Sequence, residues 1–158
     1  MGLRDDKDPR KVIIGSSYFL EAEFAQAAVS FGTSVTSPQR KSVDPVLLAY
    51  ICLKRSGQNA EAEALLSKEI MEFKGEPADH LLLLLYGQRF TRYPYEVVRQ
   101  FEDKGRTAFF VGELPIAIGD PLAGTRDLWR SVALGEKGTI YTAAAQVELE
   151  RMQTVNSQ

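Results

Sequence analysis

Apolar side chains recur at three- and four-residue intervals along almost the whole chain, the spacing of one face of an α-helix. Gly, Pro and short polar residues interrupt that period at short intervals. Asp8-Pro9 reads as an N-cap followed by proline at the first helical position. The helix it opens carries Val12, Ile13, Gly15, Phe19 and Leu20 and stops near Glu21. Phe24, Ala27, Ala28 and Phe31 continue the period over a second helix, 23–35, which Thr36-Ser37-Pro38 breaks. Asp44-Pro45 repeats the cap-then-proline start for a helix through Leu47, Leu48, Ile51 and Cys52 to Gly57. Its partner, 59–73, buries Ala62, Leu65, Leu66 and Ile70 and ends at Gly75. A less regular pair is predicted at 77–86 and 94–103, joined by a basic and aromatic turn at 89–93. A fourth pair follows at 107–118 and 121–134, with Asp120 capping its second helix. A last helix covers 139–152, and residues 1–7 and 154–158 are expected to fray.

Sustained period-two alternation is missing from the sequence. The one segment open to a strand assignment is 109–118, which is apolar and holds Pro115. A kinked helix is preferred there because all its neighbours read as helical. The pattern therefore predicts an all-α fold of antiparallel helix pairs, as one domain over 1–158.

An internal repeat is visible in this pattern. Ala22 and Gly57 end their first helices 35 residues apart, close to the 34-residue period of tetratricopeptide repeats. The passage from Gly15 through Tyr18 and Ala27 to Phe31 resembles a tetratricopeptide motif, and Tyr50, Leu53, Gly57, Ala62 and Leu66 follow its order. Gly112, Gly119-Asp120, Leu128-Trp129 and Ser131-Val132-Ala133 return to it. Small residues let antiparallel helices cross tightly, and large ones fill the holes between crossings. Two departures stand out: Gly57 and Gly119 are 62 residues apart, and Pro115 falls where the motif prefers an aromatic. The chain is similar in arrangement to bacterial tetratricopeptide proteins of the envelope-lipoprotein type, on Leu84-Leu85-Tyr86-Gly87 and on Val111-Gly112-Glu113 with Gly119-Asp120. The resemblance implies a short right-handed solenoid with an irregular third pair and a C-terminal capping helix. It also implies a non-catalytic scaffold or adaptor.

Composition narrows the function classes. The 19 basic and 21 acidic side chains leave a net charge of −2, and the basic residues are dispersed rather than gathered on one run, so nucleic acid is not an expected partner. One cysteine, Cys52, and one histidine, His80, make neither an internal disulfide nor a zinc site. Cys52 reads as a core residue and His80 as a surface or turn residue. The glycine spacing of 119–126 approaches a phosphate-binding loop, but Thr125 stands where that loop needs lysine. The carboxylate pairs Glu61 and Glu63, Glu69 and Glu72, and Glu148 and Glu150 read as solvated charge on polar faces. No cofactor or metal is expected. The longest aliphatic run, 81–85, is far short of the roughly 20 residues that span a bilayer. With no apolar leader the chain as it stands reads as cytoplasmic, or as periplasmic or envelope-located if a leader was removed.

The expected partner is a protein or peptide segment lying in the concave face that the first helices of the pairs would line. Repeat geometry points Phe19, Ile51, Lys54, Arg55, Phe109 and Glu113 toward that face. Relatives that hold acidic tails use Lys, Asn and Arg at inner positions; Val12, Ser16, Leu47, Ile51, Phe109 and Glu113 stand here, which favours an apolar or mixed ligand. Lys54 and Arg55 equally suit dipole complementation in a last helical turn. Two other readings remain: a self-associating assembly subunit forming homo-oligomers, and a hydrolase or transferase with a site around 109–126, which needs a strand there.

Overall fold

Ala22, Gly57 and Gly119 each follow a helix and each adopt a positive φ, of 62°, 82° and 98°. At all three the next N–H reaches back five residues and the residue's own N–H reaches back three, which closes the helix in a Schellman turn. The bonds match closely: Glu23 N to Tyr18 O, Gln58 N to Leu53 O and Asp120 N to Pro115 O are all 2.8 Å. Each turn leaves three residues before the next helix begins. One αα-hairpin is thus built three times by the same local chemistry.

A computed structural model describes residues 9–35, 42–88, 104–137 and 139–156. Among them the secondary structure is entirely α-helical: α1 (Pro9–Leu20), α2 (Phe24–Val35), α3 (Asp44–Arg55), α4 (Asn59–Glu72), α5 (Pro77–Gln88), α6 (Lys104–Ala117), α7 (Pro121–Leu134) and α8 (Ile140–Asn156). The expected helix at 94–103 and the turn at 89–93 lie outside the described residues. Segment 109–118, read as strand or helix from sequence, is helical to Ala117 with Pro115 inside its last turn. Proline's missing N–H forfeits one ladder bond and its ring crowds the carbonyl four residues back, and the Pro115 carbonyl is used by the turn that follows.

The chain forms two compact units, 1–88 and 89–158. In the first, each of α1 to α4 packs on the next in sequence. Helix α3 lies between α2 and α4 and is buried without interruption from Val46 to Cys52. A helix apolar all round belongs in a core, and Phe19, Ala27, Phe31, Ala62, Leu66, Leu82 and Leu83 complete this one. Tyr50 meets Tyr86 of α5 edge-on at 5.6 Å. Helix α5 is also tied to the start of α3, because buried Asp79 accepts the Val43 N–H at 3.1 Å. Val43, not Asp44, is thus the N-cap position of α3, and Asp44 is its first helical residue.

In the second unit α6, α7 and α8 pack on one another in all three pairs. Helix α6 is buried from Thr107 through Pro115. Its approach to α7 is set by two glycines: a Cβ on Gly124 would stand 2.0 Å from the Gly112 carbonyl oxygen. Gly112 would in turn meet Leu128, as Gly15 would meet Phe31 in the first hairpin, both at 2.8 Å. Gly15, Gly112 and the equivalent Tyr50 precede their turn residues by the same seven positions, so two hairpins share one crossing and the third varies it.

Candidate functional site

The residues with groove potential divide between the units. Phe19, Ile51, Lys54 and Arg55 belong to the first, and Phe109 and Glu113 to the second. In the first unit α3 carries Ile51, Lys54 and Arg55 within about one turn, so three- and four-residue spacing groups them along one side. Ile51 is fully buried. Beside it Lys54 keeps about a tenth of its side chain exposed, with its Nζ 3.3 Å from Glu63 Oε1 of α4. Tyr50 donates its hydroxyl to the same oxygen at 3.3 Å. Glu63 therefore anchors two α3 side chains, and Lys54 is largely sheltered.

Arg55 reaches the other way. Its guanidinium lies 4.2 Å from the centroid of Phe24 at the start of α2, and Phe24 meets buried Phe19 edge-on at 5.5 Å. Phe19, Phe24 and Arg55 thus form a stack joining α1, α2 and α3. A cation over an aromatic face is worth about 0.5–1 kcal/mol when exposed and more when desolvated. The stack presents a half-buried positive group with an aromatic backing.

Phe109 sits inside the second unit, 5.3 Å from Phe110 and 5.6 Å from Tyr141 of α8. Arg106 lies 5.7 Å from the Phe110 centroid. Phe109 and Glu113 are both fully buried. Of the six residues, Phe19, Ile51, Phe109 and Glu113 therefore build the interior, and Lys54 and Arg55 keep access to solvent. The reason is packing: α3 and α6 are each covered on several sides, whereas the sequence argument placed one side of each in a groove.

Other chemical candidates resolve along the same lines. His80 is half-buried in the first turn of α5, not a turn residue, and its N–H bonds the Glu76 carbonyl at 3.1 Å. The phosphate-loop look-alike at 119–126 is the Schellman turn and the start of α7. The carboxylate pairs are not uniformly solvated: Glu61, Glu72 and Glu150 are exposed and Glu63 half-buried, but Glu69 and Glu148 are buried. Glu148 is held by Arg151 one turn on. Residues two apart on a helix do not share a face, so Glu148 goes inward while Glu150 stays out. Asp127 is buried as well, 3.1 Å from Arg130. Burial pushes its carboxyl above the ordinary aspartate value, and the hydrogen bond and charge of Arg130, with the charge of Arg126, oppose that rise. Among the described residues no group of three His, Cys, Asp or Glu is arranged to hold a metal ion, and no helix is long and apolar enough to cross a membrane.

Sequence reasoning missed Phe24 and Glu63, the platforms that orient Arg55 and Lys54. Their signal was present but weak, since Phe24 was counted only as an apolar periodic position and Glu63 only as a solvated acid. It also passed over the outer face of α7, where Leu122 and Trp129 are among the most exposed large apolar side chains described. Comparison with family models, with curated proteins and with solved structures finds no match.

Proposed function

We propose that this chain is a non-catalytic interaction scaffold of tetratricopeptide type, which holds a segment of a partner protein along the first helices of the two hairpins of its first unit. The observation that carries the reading is the threefold hairpin, with the same turn bonds at Ala22, Gly57 and Gly119 and small residues at equivalent crossings, Ala27, Ala62 and Gly124, all buried. Stacking of near-identical helix pairs, each unable to bury its apolar face alone, is the physical basis of a solenoid. On this reading Lys54 and Arg55 are the groups a partner meets at the end of α3, oriented by Glu63 and Phe24. Phe19 and Ile51 hold the helices that present such groups, and Phe109 and Glu113 build the core of the second unit.

The test is reconstitution. A partner co-purified with the tagged chain from its host is prepared separately, and its affinity for wild type and for the Lys54→Ala/Arg55→Ala variant is measured by calorimetry. A loss of at least about tenfold, roughly 1.4 kcal/mol, with an unchanged helical spectrum supports the reading. Equal affinity in a folded variant removes this site. Turnover of a small-molecule substrate by the isolated chain removes the scaffold reading itself.

A further inference from the structure

The turn at Gly119 directs α7 so that Gly124, Asp127, Leu128 and Ser131 face inward. The opposite arc of the helix follows from 3.6-residue geometry. It carries Leu122, Arg126, Trp129 and Ala133 as one ridge, with Arg130 and Leu134 beside it. Leu122 is 71% exposed, Trp129 49% and Leu134 51%, and Arg126 and Ala133 are exposed too. From Pro121 to Leu134 the only acid is Asp127, which is buried and engaged by Arg130. Among the described residues no carboxylate comes within ion-pair distance of Arg126. The outer face of α7 is therefore apolar and cationic at once, on a chain whose net charge is −2.

We infer that this face is a docking surface for a helical segment of a partner protein that carries acidic residues between apolar anchors. Trp and Arg are among the side chains most enriched as interface anchors, and Leu122 and Leu134 add apolar area around them. Leu122 and Trp129, seven residues apart, form two apolar contacts on one line, and Arg126 between them takes a carboxylate from the opposing helix. An amphipathic helix laid across such a ridge meets it through residues at the same three- and four-residue spacing. A second copy of the chain is a poor occupant, because a twofold pairing of the α7 ridges offers Arg126 no exposed carboxylate, the only acid of the helix being buried Asp127. An anionic membrane is also disfavoured, because an extended negative surface lying along α7 meets exposed Asp120 and Glu136 at its two ends, whereas a partner helix crossing the ridge meets only its middle. This surface lies on the second helix of its hairpin and does not depend on the groove at Lys54 and Arg55.

Trp129 is the only tryptophan in the chain, so its emission reports this face directly. The full chain is titrated with two synthetic amphipathic helices matched in length to α7 and identical in their leucine pattern, one with Glu and one with Lys at the polar positions. The Glu peptide is expected to shift Trp129 emission to the blue, saturably, and to protect it from acrylamide; the Lys peptide is not. Arg126→Glu should weaken the Glu peptide at least tenfold and reverse the preference. Leu122→Ala, read by anisotropy of labelled peptide, should weaken it with no change in helical content. Equal response to both peptides, or none, overturns the proposal. So does a blue shift with phosphatidylglycerol vesicles in the absence of any shift with the Glu peptide, or sedimentation showing a dimer that Arg126→Glu strengthens and peptide does not displace.

Discussion

Replacing Ala22 by glycine should stabilise the protein, and the turn geometry sets by how much. Ala22 holds a φ of 62°, where an L-residue with a Cβ is disfavoured by about 1–2 kcal/mol. Glycine removes that strain but brings a more flexible unfolded chain, worth about 0.4–1 kcal/mol in the opposite sense. The net gain expected is about 0.5–1 kcal/mol, or a few degrees in Tm by the usual scaling for domains of this size. The two sister turns supply the control. Gly57 and Gly119 have a φ of 82° and 98°, and a Cβ added at either meets nothing within 4 Å. Alanine there changes only backbone strain, so Gly57→Ala and Gly119→Ala should each destabilise by a similar 0.5–1 kcal/mol. Thermal unfolding followed by circular dichroism at matched concentration measures all three. A loss of stability in Ala22→Gly would mean that the exposed Ala22 methyl makes contacts the strain argument ignores. Tolerance of both glycine replacements would refute the equivalence of the three turns.

Other consequences are more local. Ala62→Leu places three extra carbons where no surface is exposed and should cost about 1–3 kcal/mol, whereas exposed Glu61→Ala should leave melting almost unchanged. Gly124→Ala should cost at least as much, because its Cβ would meet the Gly112 carbonyl oxygen rather than a side chain that can move. Phe109→Ala should lower stability by about 3–5 kcal/mol, and a melting curve close to wild type would show that this ring is not the core of the second unit. Asp127 has a raised pKa in the folded state, so the native form binds its proton more tightly than the unfolded chain does. Its contribution is then fully present at pH below the unfolded value and is lost as pH rises through the folded one. Asp127→Asn should therefore gain stability over wild type as pH rises from 3 to 7, and a constant difference across that range in paired melts would contradict the cause assigned.

Much of the helix map was legible because it depends on local chemistry. Proline at a first turn and glycine past a last one act over a few residues, and α7 begins and ends where that punctuation puts it. The bounds differ at two helix ends, one for a distant reason and one for a local one. Helix α6 begins at Lys104, three residues before the sequence expectation, because Gly105 in its first turn is a tertiary contact rather than a breaker: a Cβ there would lie 2.3 Å from the Gly135 Cα. Helix α8 runs to Asn156 rather than stopping at Met152, since no Gly or Pro interrupts it and the Thr154 hydroxyl bonds the Glu150 carbonyl at 3.1 Å.

The candidate site was less legible, for a reason visible at Phe19 and Phe109. Repeat register assigns a side chain to a face of its helix, but exposure depends on what packs against that face. The register that aims Phe19 at a groove also sets it beside Phe24, and Arg55 then covers Phe24 from α3. Tyr141 comes from α8, more than 30 residues on, and closes over Phe109; no pattern within α6 announces it. The outer face of α7 shows the converse. Gly124, Leu128 and Ser131 mark its inner side by size and spacing, so Leu122 and Trp129 had to point outward once the hairpin was assigned. A large apolar residue opposite the small-residue side of a repeat helix cannot be explained by that helix's own packing. On the proposed reading that is the sequence signal for a docking surface, and it sets Trp129 apart from the buried aromatic rings, which packing accounts for.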